Sequence, residues 1–310
     1  MKVMVIIPFF GKWPRWLDYY LQACAYNTSI QWLLVGDSQE PELPGNIQFE
    51  NMSLKDFNKL ASKKLELQIH FHNPYKICDL RPAFGIIFSD FIKNHDFWGY
   101  ADLDVIFGNI SSFITEDLLK KYDVISVRKK YMAGHFALYK NIPHINSMFS
   151  RAERYTQIFQ DSTHHYAFDE RSNIIGRKLT FTPSMAGKRW IDQRIIPLKD
   201  KVRLRLNPSL RHSEFPDMTT IVSKLSEAGE IGWFHEDIVR SDLWFEKQKI
   251  RDWEIIWQKG KIQDTLAKEE LLHFHIIRSK NDSKFTIEPF RAGAGFSIKP
   301  FGMAPLPSNG

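Results

Sequence analysis

Val3 to Ile7 form a continuous apolar run, followed by turn residues, then by "WLDYYLQACAYN" with helix-like spacing, and then by "IQWLLVGDS" with strand character again. This β-α-β opening constrains the fold more than any other feature. Further along, Ser53 opens the amphipathic "SLKDFNKLASKKL", "PAFGIIFSDFIKNH" reads as a helix, "FWGYADLDVIF" as a strand, "ITEDLLKKY" as helical and "DVISVRK" as extended. Strands alternating with helices over residues 1–130 argue for an α/β fold with a mostly parallel, doubly wound sheet, helices on both faces, and its ligand at the carboxyl ends of the strands. From Asn141 onward the pattern is more irregular, with Trp-rich stretches such as "EIGWFHED" and "DWEIIWQKGK". The expected organisation is an α/β half over 1–140, a more irregular closing half over 141–295, and a loosely held Gly/Pro-rich tail over 296–310.

A chain of 310 residues, 43% hydrophobic and 14% aromatic, is ample for a packed core. Its formal charge of +6 and pI near 9.1 suit an anionic partner, which a whole-chain sum does not identify. Cys24 and Cys78 are the only cysteines and form no CxxC, which argues against a disulfide framework or a cysteine zinc site and fits a reducing cytoplasm. Pro8 and "GKWPRW" cut the N-terminal apolar run well short of the roughly 18 residues of a membrane span. Any membrane contact is therefore expected to be peripheral.

The stretch "FWGYADLDVIFG" puts Asp102 and Asp104 into an otherwise aromatic, aliphatic and glycine run. Buried carboxylates need a cation or hydrogen-bond donors. On a strand, positions 102 and 104 share a face, so both can approach one cation, and oxygen ligation suits Mg²⁺ or Mn²⁺ held together with substrate phosphates. Ordinary Asp usage gives about one D-x-D by chance in a chain this long, so placement at a strand end carries the weight.

Here the residues resemble a known family. "VIIPFFGKWPRWLDYYLQAC", "LLVGDS", "YKICDLRPAFG", "DFWGYADLDVIFGNI" and "GHFALYKN", in that order, look like the bacterial polysaccharide-biosynthesis glycosyltransferases of the GT-A fold. The resemblance covers residues 3–141 closely and the rest loosely. It implies a nucleotide-sugar donor, most simply a UDP-sugar, with Asp104 as the direct metal ligand and Asp102 on the ribose or on the metal through water. It also implies a glycan or lipid-linked glycan acceptor for surface polysaccharide, at the cytoplasmic membrane face.

Other residues join this reading. Phe9, Phe10 and Gly11 end the first strand, where base contact competes with a tight turn and core packing. Asp37 ends the second strand, with a ribose contact or a turn cap as its roles. Lys76, Asp79 and Arg81 precede a helix start, as diphosphate neighbours or as a solvated Asp79–Arg81 salt bridge. A C-terminal histidine completes the metal site in such enzymes. In "LLHFHIIRSK" the motif favours His273, period two does not separate it from His275, and Arg278 and Lys280 follow as donor contacts. Gly134 permits close backbone approach to an acceptor sugar beside His135. Asp169 and Glu170 are the candidate general bases for an inverting transfer, with Asp192-Gln193 a weaker rival.

Two other classes compete. A sugar nucleotidyltransferase needs a glycine-rich phosphate loop after the first strand, and "PFFGKWPRW" has one glycine. A basic nucleic-acid or glycan-binding protein needs interleaved basic and aromatic clusters, for which "RLRLNPSLRH" is a mild example, so no nucleic acid is expected. Trp233, Trp244, Trp253 and Trp257 suit carbohydrate stacking, but such residues more often sit in cores or interfaces.

Overall fold

The computed structural model describes residues 1–170 and 217–307. Asp192, Gln193 and "RLRLNPSLRH" lie outside them. The first half supplies β1 (Val3–Pro8), α1 (Leu17–Ala25), β2 (Ile30–Gly36), β3 (Ile47–Asn51), α2 (Leu54–Leu65), β4 (Phe97–Ala101), β5 (Val105–Phe107), β6 (Val124–Ser126) and β7 (Phe136–Lys140). The second supplies β8 (Trp233–His235), β9 (Arg240–Ser241), β10 (Ile255–Gln258), β11 (Lys261–Asp264), β12 (Glu269–Leu271), β13 (His273–His275), β14 (Thr286–Ile287), β15 (Phe296–Lys299) and β16 (Gly302–Pro305).

Among the described residues the main sheet has seven strands, in the order β3-β2-β1-β4-β7-β6-β8. Only β7 runs against the rest. Alternation within each strand splits the core into two layers: β1 sends Val3, Val5 and Ile7 to one and Met4 and Ile6 to the other. The first layer is closed by α1 and by Trp257, Ile262, Phe296 and Ile298 of the second half. Against the second layer pack Phe57 and Ala61 of α2, residues 77–92, and the helix Met218–Glu227. The α/β class and the mostly parallel sheet with helices on both faces are as expected.

Local structure follows sequence where caps are explicit. Ser53 accepts the Asp56 N–H at 3.1 Å and starts α2, whose last turn carries Lys63 and Lys64. The helix expected in "PAFGIIFSDFIKNH" is instead a 3-10 segment, Pro74–Ala83, followed by two single turns, Phe84–Ile87 and Ser89–Ile92. Pro82 lies inside the 3-10 segment, where it removes a donor and crowds the preceding turn.

The long strand expected over 97–107 is also broken. The chain leaves the main sheet at Ala101, and β5 pairs with β13 in a separate three-stranded sheet with β9. Asp102 and Asp104 therefore sit in a connection rather than on a strand face.

The tail expected over 296–310 is replaced, through residue 305, by β15 and β16. They belong to a six-stranded sheet, β12-β11-β10-β15-β16-β14, and β15 is hydrogen-bonded on both sides. The two expected halves interleave, because β8 edges the main sheet and β13 pairs with β5. No helix among the described residues is long and apolar enough to cross a membrane.

Candidate metal and transfer site

The backbone of Asp102, Leu103 and Asp104 is held on three sides. The Asp102 N–H donates to the His135 carbonyl at 3.1 Å, the Trp16 indole donates to the Leu103 carbonyl at 2.7 Å, and the Ile276 N–H donates to the Asp104 carbonyl at 2.8 Å. The short connection is thus fixed by the residue before β7, the loop before α1, and the residue after β13.

That pinning brings the side chains of Asp102, Asp104 and His275 together, with one ligand atom of each within 4.8 Å of the others. His275 Nε2 lies 3.3 Å from Asp104 Oδ1, a buried oxygen that receives no hydrogen bond among the described residues. Asp104 Oδ2 meets the Lys280 ammonium, and Asp102 meets Arg81. Two carboxylates, one imidazole and an orphaned carboxylate oxygen fit a divalent cation, and the imidazole tilts preference toward Mn²⁺.

His275 takes the place expected for His273. Both do lie on one face of β13, but register places His273 against Phe107, deeper in the core, and His275 against Val105, next to the aspartates. His273 is fully buried against the rings of Phe107 and Phe136.

Arg81 bridges the two acidic groups of the site. One amino group binds Asp102; the other reaches Asp169 Oδ2 at 3.0 Å and the Gly134 carbonyl. Glu170 Oε1 accepts the Gly134 N–H at 3.1 Å. Burial pushes the Asp169 carboxyl well above the usual carboxylate range against the pull of Arg81, and Glu170 adds to the rise. Glu170 is raised by burial and then by the Asp102 charge. Carboxyl groups lifted in this way suit proton transfer near neutral pH. Burial lowers His275, His135 and His273, and it also lowers Lys280.

Four expectations change. Lys76 and Asp79 form a buried ion pair at 2.7 Å; Lys76 also donates to the Ile158 carbonyl, and Asp79 accepts the N–H groups of Tyr166 and Phe168. Their bonding capacity goes into tying the 3-10 segment to residues 158–168. Phe10 is buried against Phe57 and is a core residue, whereas Phe9 stacks on Trp13, which meets Phe49 edge-on. Space at Gly134 is already filled, since a Cβ there would meet Glu170 Oε1 at 2.3 Å and Asp169 Oδ2 at 2.8 Å. A side chain at that point would displace the two carboxylates. The His135 ring packs on His275 at 4.7 Å between centroids, inside the site rather than at its mouth.

Elsewhere, Asp37 accepts the Gly11 N–H at 2.8 Å, and Gly11 holds φ 107°, so the turn reading of both is realised at the carboxyl edge of β1 and β2. Arg278 is partly exposed, 3.7 Å from Glu246. Sequence reading missed Trp13, Trp16 and Asp242. The buried Asp242 carboxylate accepts the N–H groups of Ile277, Arg278 and Ser279 at 2.7–3.0 Å, fixing the turn between His275 and Lys280. A lone Asp beside a Trp-rich segment carries no pattern that marks such a role.

Among solved structures, the chain is similar to the galactosyltransferase LgtC in complex with donor and acceptor sugar analogs, at 10% identity over 54% of this chain and 70% of that one, with TM-score 0.31. It is similar also to the apo-form glycosyltransferase GlyE in Streptococcus pneumoniae TIGR4, at 13% identity over 49% of this chain and 36% of that one, TM-score 0.30. Likeness of this degree bears on neither substrate nor reaction. A comparison with curated proteins gave no match. The model described as "Family of unknown function (DUF6625)" matches residues 5–306, nearly the whole length, and the chain belongs to that family.

Proposed function

We propose that this protein is a metal-dependent glycosyltransferase that moves a sugar from a nucleotide-diphosphate donor, a UDP-sugar, to a glycan or lipid-linked glycan acceptor. The observation that carries this reading is the Asp102, Asp104 and His275 cluster, with its orphaned Asp104 oxygen, at the carboxyl end of β4. Open, mostly parallel sheets bind ligands at that edge. The ordered motifs around the two aspartates point the same way.

In this reading residues 1–140 bind the donor and residues 141–295 the acceptor. Asp102, Asp104 and His275 would hold a divalent ion, Mn²⁺ or Mg²⁺, whose chemistry there would be Lewis-acid stabilisation of a diphosphate leaving group. Lys280 moves from Asp104 to the diphosphate, and Arg278 adds positive charge nearby. Phe9, Trp13 and Phe49 flank the base. Arg81 holds both Asp102 and Asp169 in place. An inverting transfer needs one base at the acceptor hydroxyl, and Asp169 or Glu170 supplies it. Peripheral attachment at the inner membrane face suits a lipid-linked acceptor.

The test is a thermal-shift panel of UDP, GDP, CMP and ADP, each with and without Mn²⁺, on the wild type and on Asp104→Ala. Ligands that bind only the native state raise apparent stability by mass action. UDP is expected to stabilise the wild type only with Mn²⁺ and to leave Asp104→Ala unmoved. If no nucleotide acts, and Asp104→Ala merely melts earlier, the aspartates are structural and the reading fails.

A further inference from the structure

Five polar side-chain atoms around the metal cluster are buried with no hydrogen-bond partner among the described residues: Asp104 Oδ1, His275 Nδ1, His135 Nε2 and both ring nitrogens of His273. Native interiors keep few such atoms, because each forgoes the bonds it made to water. Four of the five lie on three adjacent imidazoles, with His135 4.7 Å from His275 and 5.1 Å from His273 between ring centroids. Phe107 and Phe136 pack against His273. Leucine or phenylalanine would fill this space without orphaned nitrogens, so three histidines here need a reason that packing does not give.

His135 touches two members of the cluster at once. Its carbonyl accepts the Asp102 N–H at 3.1 Å, and its ring lies over that of His275 with a tilt of 35°. The rings make no direct hydrogen bond. A buried water is the usual partner of neighbouring buried polar groups left in this state.

We propose that His135, backed by His273, is a positioning residue for His275: the rings share buried water that takes the Nδ1–H of His275 and so keeps its Nε2 lone pair turned toward Asp104. This rests on the metal reading above. A ligating imidazole generally donates its second nitrogen to a fixed partner, which sets its tautomer and orientation. Here that partner comes from neighbouring histidines in place of the usual carboxylate or carbonyl. The motif "GHF" at 134–136 thus serves the metal rather than the acceptor.

The experiment titrates Mn²⁺ alone, by electron paramagnetic resonance, into wild type, His135→Phe, His135→Asn, His273→Phe and Asp104→Ala, and records the melting temperature of each metal-free protein. His135→Phe is expected to weaken Mn²⁺ binding about 10- to 100-fold while the metal-free melting temperature holds or rises, because an orphaned nitrogen has gone. His135→Asn, which still bonds to water, recovers most of the affinity. His273→Phe shifts affinity in the same direction by less, and it reads the water-sharing without touching the ring on His275. Wild-type affinity in both phenylalanine variants, with or without a lower melting temperature, overturns the proposal while the metal site stands. Failure of the wild type to bind Mn²⁺, or undiminished binding by Asp104→Ala, overturns the metal reading itself and this inference with it.

Discussion

Gly134 is the residue on which most of the site converges. Its N–H serves Glu170, its carbonyl serves Arg81, and the space where a side chain would begin is occupied by Glu170 and Asp169. Gly134→Ala forces the Glu170 carboxylate aside and breaks that hydrogen bond, at a cost of about 1–2 kcal/mol in urea denaturation. Transferase turnover is expected to fall far more than stability, and equal, small losses in both would show that Glu170 has no role in transfer. Glu170 itself carries a pH signature. Its folded carboxyl is raised by burial and then by Asp102, so the folded state holds the proton more tightly than the unfolded chain. The stability this contributes is complete below the unfolded value of about 4.3 and is lost as pH rises through the raised folded value. Glu170→Gln escapes that loss and keeps an acceptor for Gly134. The variant should be more stable than wild type at pH 7, converge with it toward pH 4, and lose about 100-fold in turnover. Equal stability across the whole range would mean that Glu170 is not strained.

Among the elements, those set by local chemistry were legible and those set by distant partners were not. The apolar run of β1, the spacing of α1 and the Ser53 cap of α2 each depend on residues a few positions apart, and all appear as read. Apart from its two aspartates the run 97–107 is apolar, and nothing within it shows that the chain departs at Ala101 to meet β13, more than 160 residues away. The aspartate pair was therefore found by its composition, and its setting was misjudged. Which of His273 and His275 lies beside the aspartates depends on the β5–β13 register, which no local pattern encodes. Asp242 belongs to the same class, since its partners lie more than 30 residues on. Asp242→Ala strands the N–H groups of Ile277, Arg278 and Ser279 and frees the turn that carries Lys280. About 3 kcal/mol of stability should go, because hydrogen bonds to a charged group are among the stronger ones. Binding of UDP with Mn²⁺ should weaken too, by calorimetric titration. Unchanged nucleotide affinity in a folded Asp242→Ala protein would detach Lys280 from the donor.

For the whole molecule, the decisive arrangement is that the face of the main sheet bearing α1 is closed by strands from the far end of the chain. β15 lies between β10 and β16, and Phe296 on it stacks on Trp257 at 5.0 Å and meets Tyr19 of α1 edge-on at 4.9 Å. Phe296, Ile298 and Met303 are each at most 1% exposed, so this end of the chain is core despite its glycine and proline content. Composition misleads here because the glycines and prolines serve turns and edges, while the few apolar residues between them alternate inward. Burying three such side chains contributes about 1.5–3 kcal/mol each, and losing β15 and β16 together also exposes the facing edges of β10 and β14. Domains of ordinary stability have about 5–15 kcal/mol in all. A chain ending at residue 295 is therefore expected to be insoluble or to show no cooperative melting, whereas one ending at residue 307 should melt like the full chain. Circular dichroism melts of the two truncations decide it, and a cooperative, near-wild-type transition in the shorter one would show that β15 and β16 are dispensable to the core.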